Sequence, residues 1–371
     1  MGLNRSTDQE PLGVPPMRAA KRVVKKVLLG LLRKLSEDDE TKRLLTGMLR
    51  GLLDARPAVL SGLRESGRGP YPGLGESSVD SQSSQRREAV FVTGRFRSGT
   101  TLLWNLFRNI ENITAYYEPL NERRWFDRSR RGTRTDPTHK NVEDYWREYD
   151  GLEELGQYYR EDWIRKRLYM DASSWDPNLK RYIERLLERA PGRPVLQFNR
   201  VDFRLSWLRA QFPGAKIIHI YRHPRDQWCS FLMEPSCFPK DGATKDFEAQ
   251  DKFYLLMWAS DLKYHFPFLD ERQVAHPYQL FYYLWKLSYL FGVRYADFSV
   301  SFESLVDDPD AQLTALFKAT NIEKYDLARL KALIVRPALG KWTSYAGEEW
   351  FREHESRCET VLAEFLKVPR I

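Results

Sequence analysis

Short apolar runs alternate with longer stretches of helical periodicity along most of the chain. The runs are rich in β-branched and aromatic residues, whereas the stretches between them repeat their apolar positions at three and four residues. Five such runs predict strands, at 89–92, 114–117, 194–198, 217–220 and 298–302. Strands that alternate with helices predict an α/β fold with a parallel, doubly wound sheet and helices on both faces.

The most informative stretch is 91–103, where an apolar strand leads into a glycine-containing loop and then a helix. Gly94 and Gly99 bracket the loop, so successive backbone N–H groups and the helix start can face an anion. The spacing almost matches the nucleotide-triphosphate loop, but Thr100 stands in the lysine position and Arg97 lies inside the loop. The loop therefore suits a compact group with fewer charges than a triphosphate. A tight turn without a ligand is the alternative.

A second basic cluster follows the strand predicted at 217–220. Arg222 lies at the end of that strand, and Pro224 marks the start of a helix. Ser230 follows about two helical turns later, so its hydroxyl and the Arg222 guanidinium can converge on one phosphate. The sequence thus predicts two anion sites, each placed after a strand.

Together these motifs resemble the sulfotransferases that use 3′-phosphoadenosine 5′-phosphosulfate (PAPS). Residues 97–101 match that family's 5′-phosphosulfate loop, and Arg222 with Ser230 matches its pair for the 3′-phosphate. Residues 117–120 resemble the branch that acts on carbohydrates. The resemblance covers the chain from Arg87 onward. It implies a P-loop fold, PAPS as co-substrate, no obligatory metal, and sulfonate transfer to a hydroxyl acceptor, expected to be a glycan or glycoconjugate.

The resemblance also implies roles for individual residues. Glu118, at the end of the strand predicted at 114–117, is the candidate base, and Arg97 is the second catalytic candidate. A solvated or salt-bridged carboxylate is the alternative for Glu118, and His223 and His139 are reserve bases. The predicted cofactor-binding residues are Arg95, Arg97, Ser98, Gly99, Thr100, Thr101, Arg222, Ser230, Lys341 and Trp342, of which the last two belong to a glycine-basic-aromatic segment.

Residues 120–190 are predicted to form an inserted helical subdomain that binds the acceptor. This stretch is charged and rich in aromatic residues, which suit the faces of sugar rings. Packing of the subdomain itself is the alternative role for each ring. Arg200, at the end of the strand predicted at 194–198, is a further candidate for contact with sulfonate or acceptor. Leu102 stands where some relatives carry tryptophan, so the resemblance assigns no ring to adenine.

Composition and charge narrow the class of partner. The 371 residues carry a net charge of +8, with a pI near 9.2, which favours anionic partners such as a phosphorylated co-substrate. Basic residues interspersed with acids, without a recognised nucleic-acid motif, argue against nucleic acid. Three cysteines without metal-ligand spacing, and no apolar segment long enough to span a bilayer, favour a cytoplasmic protein.

Three regions are expected along the chain. Residues 1–55 contain a basic amphipathic helix, 56–87 form a linker rich in Gly, Ser and Pro, and 88–371 form the sulfotransferase domain. The helix is expected to pack on its own domain or on another subunit, and peripheral membrane contact is the alternative.

Two other function classes stay open at this point. A P-loop kinase would use ATP and Mg²⁺, but Thr100 in the lysine position and the second anion motif argue against it. A non-catalytic, membrane-associated P-loop protein is disfavoured by Glu118 and by the pair of Arg222 and Ser230. For the sulfotransferase, a lipid headgroup, a phenol or a small alcohol are the other acceptors considered.

Overall fold

The computed structural model describes residues 88–367. The predictions for the helical segment at 1–55 and the linker at 56–87 concern residues outside this range. The described part therefore corresponds to the predicted domain that begins at residue 88, apart from residues 368–371.

Five parallel strands form one sheet, as predicted. Their order in space is β2-β3-β1-β4-β5, and each pairs in parallel with its neighbours. β1 lies at the centre with every residue buried, which explains its uninterrupted apolar run. The strands are β1 Val90–Thr93, β2 Ile113–Tyr117, β3 Arg193–Phe198, β4 Lys216–Tyr221 and β5 Phe298–Ser301.

The order of the strands creates a switch point between β1 and β4. From β1 the chain moves to one side of the sheet for β2 and β3, and then crosses to the other side for β4 and β5. The segments that leave β1 and β4 therefore diverge, which opens a crevice at the carboxyl ends of these two strands. The loop containing Arg97 leaves β1, and the segment containing Arg222 leaves β4, so both motifs lie at this crevice.

Helices flank the sheet, and several begin where the sequence provides a start signal. Four of the helices begin with proline at the first position, where the missing N–H costs no hydrogen bond. The Asp176 side chain caps one of these helices by accepting from Leu179 N–H. The helices are α1 Thr100–Arg108, α2 Pro177–Arg189, α3 Leu205–Gln211, α4 Pro224–Phe231, α5 Leu255–Leu262, α6 Pro277–Tyr295, α7 Phe302–Asp307, α8 Pro309–Ala319, α9 Leu327–Ala332 and α10 Glu348–Lys367.

One helix is shorter than its apolar pattern suggests. The pattern at 247–264 predicts a continuous helix, but α5 begins only at Leu255. The Asp251 carboxylate accepts from the backbone N–H groups of Leu255 and Leu256, and Tyr254 has a φ of 63°. The carboxylate therefore acts as a cap at this point, so the residues before it form short 3₁₀ turns instead.

Most aromatic residues of the insertion pack into the protein core. Between β2 and α2 the helical segments are short 3₁₀ turns, so the helical character of the insertion is largely confined to these turns and α2. The packing role considered for the rings applies to Trp125, Phe126, Tyr145, Tyr159 and Trp163, which are all buried. Trp175 differs, with 74% of its surface exposed. Within 88–367, no helix is both long and apolar enough to cross a membrane.

Candidate active site

Two glycines allow the loop after β1 to adopt its conformation. A Cβ atom on Gly94 would lie 2.3 Å from the carbonyl oxygen of Ile220, so the loop and β4 approach too closely for a side chain. Gly99 has a φ of 102°, and its Cβ atom would lie 2.5 Å from the Phe302 ring. Backbone conformation and close contact therefore both require glycine at position 99.

The first turn of α1 has no side-chain cap. Gly99 occupies the N-cap position, and the first turn contains no acidic residue. The N–H groups that begin an α-helix lack partners within the helix, and their partial positive charge attracts anions. The buried Ser98 hydroxyl also has no hydrogen-bond partner among residues 88–367. The loop therefore offers several donors to an anion, with Thr100 and Thr101 opening the helix.

Arg97 connects the two predicted anion sites. Its Nε donates to Ser230 Oγ at 3.0 Å, across 133 positions of sequence. Arg222 Nη1 in turn donates to the Arg97 carbonyl oxygen at 3.4 Å. Arg97 itself has a φ of 69°, in the left-handed region. The structure thus places Arg97, Arg222 and Ser230 together at the switch point, while their binding of PAPS stays a prediction.

Arg222 is held in a partly buried position with an unused donor. Its guanidinium carbon lies 5.0 Å from the centre of the Phe302 ring, a cation–π contact. Its Nε is buried and has no partner within the described residues. Burial lowers the pKa of this guanidinium from its ordinary value, although it stays charged. A buried cation with a free N–H is suited to an incoming anion.

Three predicted cofactor-binding residues have a different environment. Arg95 is 4% exposed, and its guanidinium lies 4.5 Å from the Trp258 ring and 3.8 Å from Asp202. Trp342 packs against the Arg225 guanidinium at 4.8 Å. Lys341 is exposed in a 3₁₀ turn that contacts α4. Arg95 and Trp342 are therefore engaged by protein neighbours, and roles in cofactor binding for all three stay predictions.

Glu118 lies just beyond the end of β2 in a cage of hydrogen-bond donors. It is 8% exposed and has a φ of 39°. Asn199 Nδ2 donates to Oε1, while Asn121 Nδ2 and Arg200 Nη1 donate to Oε2, the latter at 3.1 Å. Arg200 Nη2 also donates to Glu122 at 2.7 Å. The alternative of a salt-bridged carboxylate therefore describes Glu118 correctly, and its role as base is untested.

Burial and the neighbouring carboxylates have opposite effects on the pKa of Arg200, a residue that is only 3% exposed. Burial alone would lower the pKa of its guanidinium, but the charges of Glu118 and Glu122 outweigh that effect, so the pKa is raised. Arg200 therefore stays cationic and stabilises the charge of the Glu118 carboxylate.

Tyr117 links the Glu118 region to the phosphate loop. Its hydroxyl lies 3.2 Å from Thr101 Oγ1, in the first turn of α1, and the charge of the adjacent Glu118 acts on it. Burial, followed by the charge of Glu118, raises the pKa of Tyr117 well above its ordinary value, so the hydroxyl keeps its proton. The Tyr117 phenol thus lies between the candidate base, Glu118, and the first turn of α1.

The reserve histidines lie in different places. His139 lies beside Tyr117, with the ring centres 6.4 Å apart, in a segment that also contacts Arg97 through Thr138. His223 occupies the N-cap of α4, and its backbone N–H donates to Glu303. Of these two reserve candidates, His139 is therefore the one that lies beside Tyr117, in the segment that contacts Arg97.

Three residues of the site receive no role of their own from the sequence. Tyr117 enters only as part of the 117–120 resemblance, and Asn121 and Asn199, like Tyr117, contact Thr101 or Glu118 as described above. Asn199 directly follows β3, so the rule that ligands bind beyond strand ends would have found it. Asn121 follows a tight turn, for which the sequence gives no comparable signal. Within residues 88–367, no group of three or more His, Cys, Asp or Glu side chains is arranged to hold a metal.

A parallel sheet with a glycine-bracketed loop between its central strand and the next helix defines an α/β P-loop fold. Residues 89–326, well over half of the chain, match the sulfotransferase family. The chain belongs to the sulfotransferase family, and this membership, together with the fold, supports sulfotransferase activity.

Two solved structures show similarity to this chain. One is sulfotransferase STF9 from Mycobacterium avium, with 17% identity, 76% of each chain covered and a TM-score of 0.41. The other is sulfotransferase STF1 from Mycobacterium tuberculosis H37Rv, with 16% identity, 73% of this chain and 77% of that chain covered, and a TM-score of 0.38. No curated protein matches the chain significantly.

Proposed function

We propose that this enzyme transfers the sulfonate group of PAPS to a hydroxyl group of a glycan or glycoconjugate. The observation that carries the proposal is the position of Arg97, which contacts both Ser230 and Arg222 at the end of β1. A donor with phosphate groups at its 3′ and 5′ positions requires two adjoining anion sites of this kind. A glycan acceptor is supported by residues 117–120, which resemble the branch of the family that acts on carbohydrates.

The residues present fit such a donor. The uncapped start of α1, the buried Ser98 hydroxyl and the unused Nε of Arg222 are all donors without partners among the described residues. In the proposal, residues 97–101 bind the 5′-phosphosulfate, and Arg222 with Ser230 binds the 3′-phosphate. PAPS, when bound, supplies a sulfonate on a phosphate leaving group. Lys341 is proposed to add positive charge from the turn beside α4.

The protein itself must hold the acceptor, remove a proton and stabilise charge. Glu118 is proposed to accept the proton of the acceptor hydroxyl. A carboxylate has about four lone-pair positions, of which Asn121, Asn199 and Arg200 occupy three. Proton transfer to Glu118 therefore requires either the remaining position on Oε1 or the release of one amide.

Binding of adenosine nucleotides tests the donor assignment. Adenosine 3′,5′-bisphosphate should raise the melting temperature of the full-length protein more than ATP with Mg²⁺ or adenosine 5′-phosphate, because only this ligand occupies both anion sites. A larger shift with ATP and Mg²⁺ would instead favour a P-loop kinase. Equal shifts with both adenosine phosphates would contradict the 3′-phosphate site.

Transfer of label tests the reaction and the acceptor. Radiolabelled PAPS is incubated with the enzyme and a panel of neutral and acidic oligosaccharides, phenols, short alcohols and lipid vesicles. Label transferred to an oligosaccharide is the expected result. Label on a phenol, alcohol or lipid only would keep the sulfotransferase and overturn the glycan assignment. Adenosine 3′,5′-bisphosphate binding without transfer from PAPS to any acceptor or to water would contradict the proposed reaction.

A further inference from the structure

The segment that contains His139 folds back onto the loop after β1. Arg97 Nη2 donates to Thr138 Oγ1 at 3.4 Å, and Arg97 Nη1 lies 3.6 Å from the Asp136 carboxylate. These contacts connect the segment to the guanidinium proposed to stabilise the transferring group. His139 follows Thr138, and its ring lies 6.4 Å from the ring of Tyr117, whose hydroxyl is 3.2 Å from Thr101 Oγ1.

Tyr145 fixes the orientation and the tautomer of the His139 ring. The Tyr145 hydroxyl accepts from Asp136 N–H at 2.8 Å and lies 2.6 Å from His139 Nδ1. Burial raises the pKa of Tyr145 to about 12, so the phenol keeps its proton. Because this oxygen accepts from the Asp136 backbone N–H, we assign the phenol proton to the 2.6 Å contact with Nδ1. The hydrogen-bond network therefore assigns the imidazole proton to Nε2.

The imidazole is neutral at neutral pH. Burial lowers the pKa of His139 from its ordinary value; the charges of Asp136 and Glu118 oppose this shift, whereas the charge of Arg97 adds to it. Nε2 makes no hydrogen bond to any residue in 88–367, and this atom retains some solvent-exposed surface. A neutral N–H donor is therefore available beside Arg97 and Tyr117.

The His139 ring lies between two contacts of the site: its segment reaches Arg97 through Thr138 and Asp136, and the ring itself packs near Tyr117, the neighbour of Glu118. Under the proposed function the sulfonate binds at Arg97 and the acceptor at Glu118, so the two reacting groups meet near this ring. A donor at this position is useful when negative charge develops in the transition state, because it is already oriented and needs no rearrangement.

We infer that His139 is a catalytic residue that donates a hydrogen bond from Nε2 to the sulfonate during its transfer. This inference rests on the proposed function. The acceptor oxygen forms a bond to sulfur while the bond from sulfur to the phosphate oxygen breaks, and its electron pair leaves with the phosphate. The acceptor proton passes to Glu118. His139 loses no proton in this step, which separates its role from that of a base.

Two substitutions distinguish a donor at Nε2 from a base or a packing residue. His139→Asn places its amide near the position of Nδ1 and removes the Nε2 donor, whereas His139→Gln can place an amide N–H near the position of Nε2. His265→Asn is the matched control, since His265 is exposed and packs against Tyr169, away from the described site contacts. Transfer from radiolabelled PAPS, and calorimetric binding of adenosine 3′,5′-bisphosphate, are measured for all three variants and the unaltered enzyme.

His139→Asn should lower kcat by about a hundredfold, the usual effect of removing one such donor, with little change in acceptor KM. His139→Gln should recover at least about tenfold of that loss. Adenosine 3′,5′-bisphosphate affinity should be the same in all variants, and the control should retain full activity.

Three results would overturn the inference. Unchanged kcat in His139→Asn would show that the ring takes no part in transfer. A Gln variant as inactive as the Asn variant would show that a donor at Nε2 is not what matters. A loss confined to KM would assign His139 to acceptor binding. In contrast, an unaltered enzyme that fails to transfer sulfonate from PAPS would overturn the proposed function, and this inference with it.

Discussion

Replacing Glu118 by glutamine should destabilise the protein as well as slow the reaction. The substitution preserves shape but converts one acceptor oxygen into a donor. Asn199 donates to Oε1, and Asn121 and Arg200 donate to Oε2, so the new amide must direct its N–H groups at one of these donors. Reversing the Asn199 amide does not help, because its oxygen accepts from Arg200.

The size of the destabilisation follows from the less costly of the two orientations that the glutamine amide can take. With the amide nitrogen at the Oε1 position, one charge-assisted hydrogen bond is lost, which costs roughly 1.5–3 kcal/mol. The bond from Arg200 remains but loses its anionic partner, which adds about 1 kcal/mol. The free energy of unfolding should therefore fall by about 2.5–4 kcal/mol, which overlaps the roughly 3–5 kcal/mol observed when one partner of a buried ion pair is removed.

The assay is urea denaturation of the full-length protein, with Glu122→Gln as the matched control. Glu122 pairs with the same guanidinium, but its side chain is 39% exposed, so its loss should cost at most about 1 kcal/mol. Turnover of Glu118→Gln should fall by about a hundredfold or more if Glu118 is the base. An unfolding free energy equal to that of the unaltered protein would refute the described hydrogen-bond cage, whatever happened to turnover.

Three further predictions concern the cofactor site and the core. Arg222→Ala should weaken binding of adenosine 3′,5′-bisphosphate at least about tenfold more than that of adenosine 5′-phosphate, measured by calorimetry, because it removes a charge-assisted contact; equal losses would contradict the assignment. Gly94→Ala should abolish nucleotide binding, since its Cβ would lie 2.3 Å from the Ile220 carbonyl oxygen, whereas Gly347→Ala, with open space around it, should bind normally. Burial lowers the pKa of both His219 and His276 to about 4, so the unfolded state gains these protons first and stability falls as the pH drops below about 6.5. The contribution of His219 to this fall should be about 2 kcal/mol at pH 5, so His219→Gln should reduce the fall measured by urea titrations by about that amount, and an unchanged fall would contradict it.

The sheet and the meeting of the two motifs were predictable from local sequence. Central parallel strands are buried on both faces, so β1 begins as a continuous apolar run and β4 is an apolar run interrupted only by His219. Parallel strands end at the same edge of a sheet, and this rule brings Arg97 and Arg222 together without knowledge of the intervening chain. These features depend on periodicity and topology, which a single sequence expresses well.

The surroundings of individual side chains were less predictable. Arg95 precedes Arg97 by two positions in the same loop, yet its guanidinium lies against Trp258 and Asp202. The left-handed turn at Arg97 breaks the simple alternation that the sequence suggests. The cage around Glu118 includes Asn199, 81 positions away, and single asparagines carry no periodic signal. Such contacts depend on the completed fold, so local sequence rules do not specify them.

Backbone strain supports a functional origin for both Arg97 and Glu118. Nine non-glycine residues in the described range have positive φ, and these two are among them. Asparagine tolerates this conformation through its short polar side chain, but arginine and glutamate lack that compensation, so each position costs roughly 1–2 kcal/mol. Ser230 holds Arg97, and the donors around Glu118 hold the carboxylate. Arg124, Arg167, Met233 and Tyr254 also have positive φ, so strain alone does not mark a functional residue. At Arg97 and Glu118 the strain coincides with side chains held by several contacts of the site, and this coincidence favours a functional orientation.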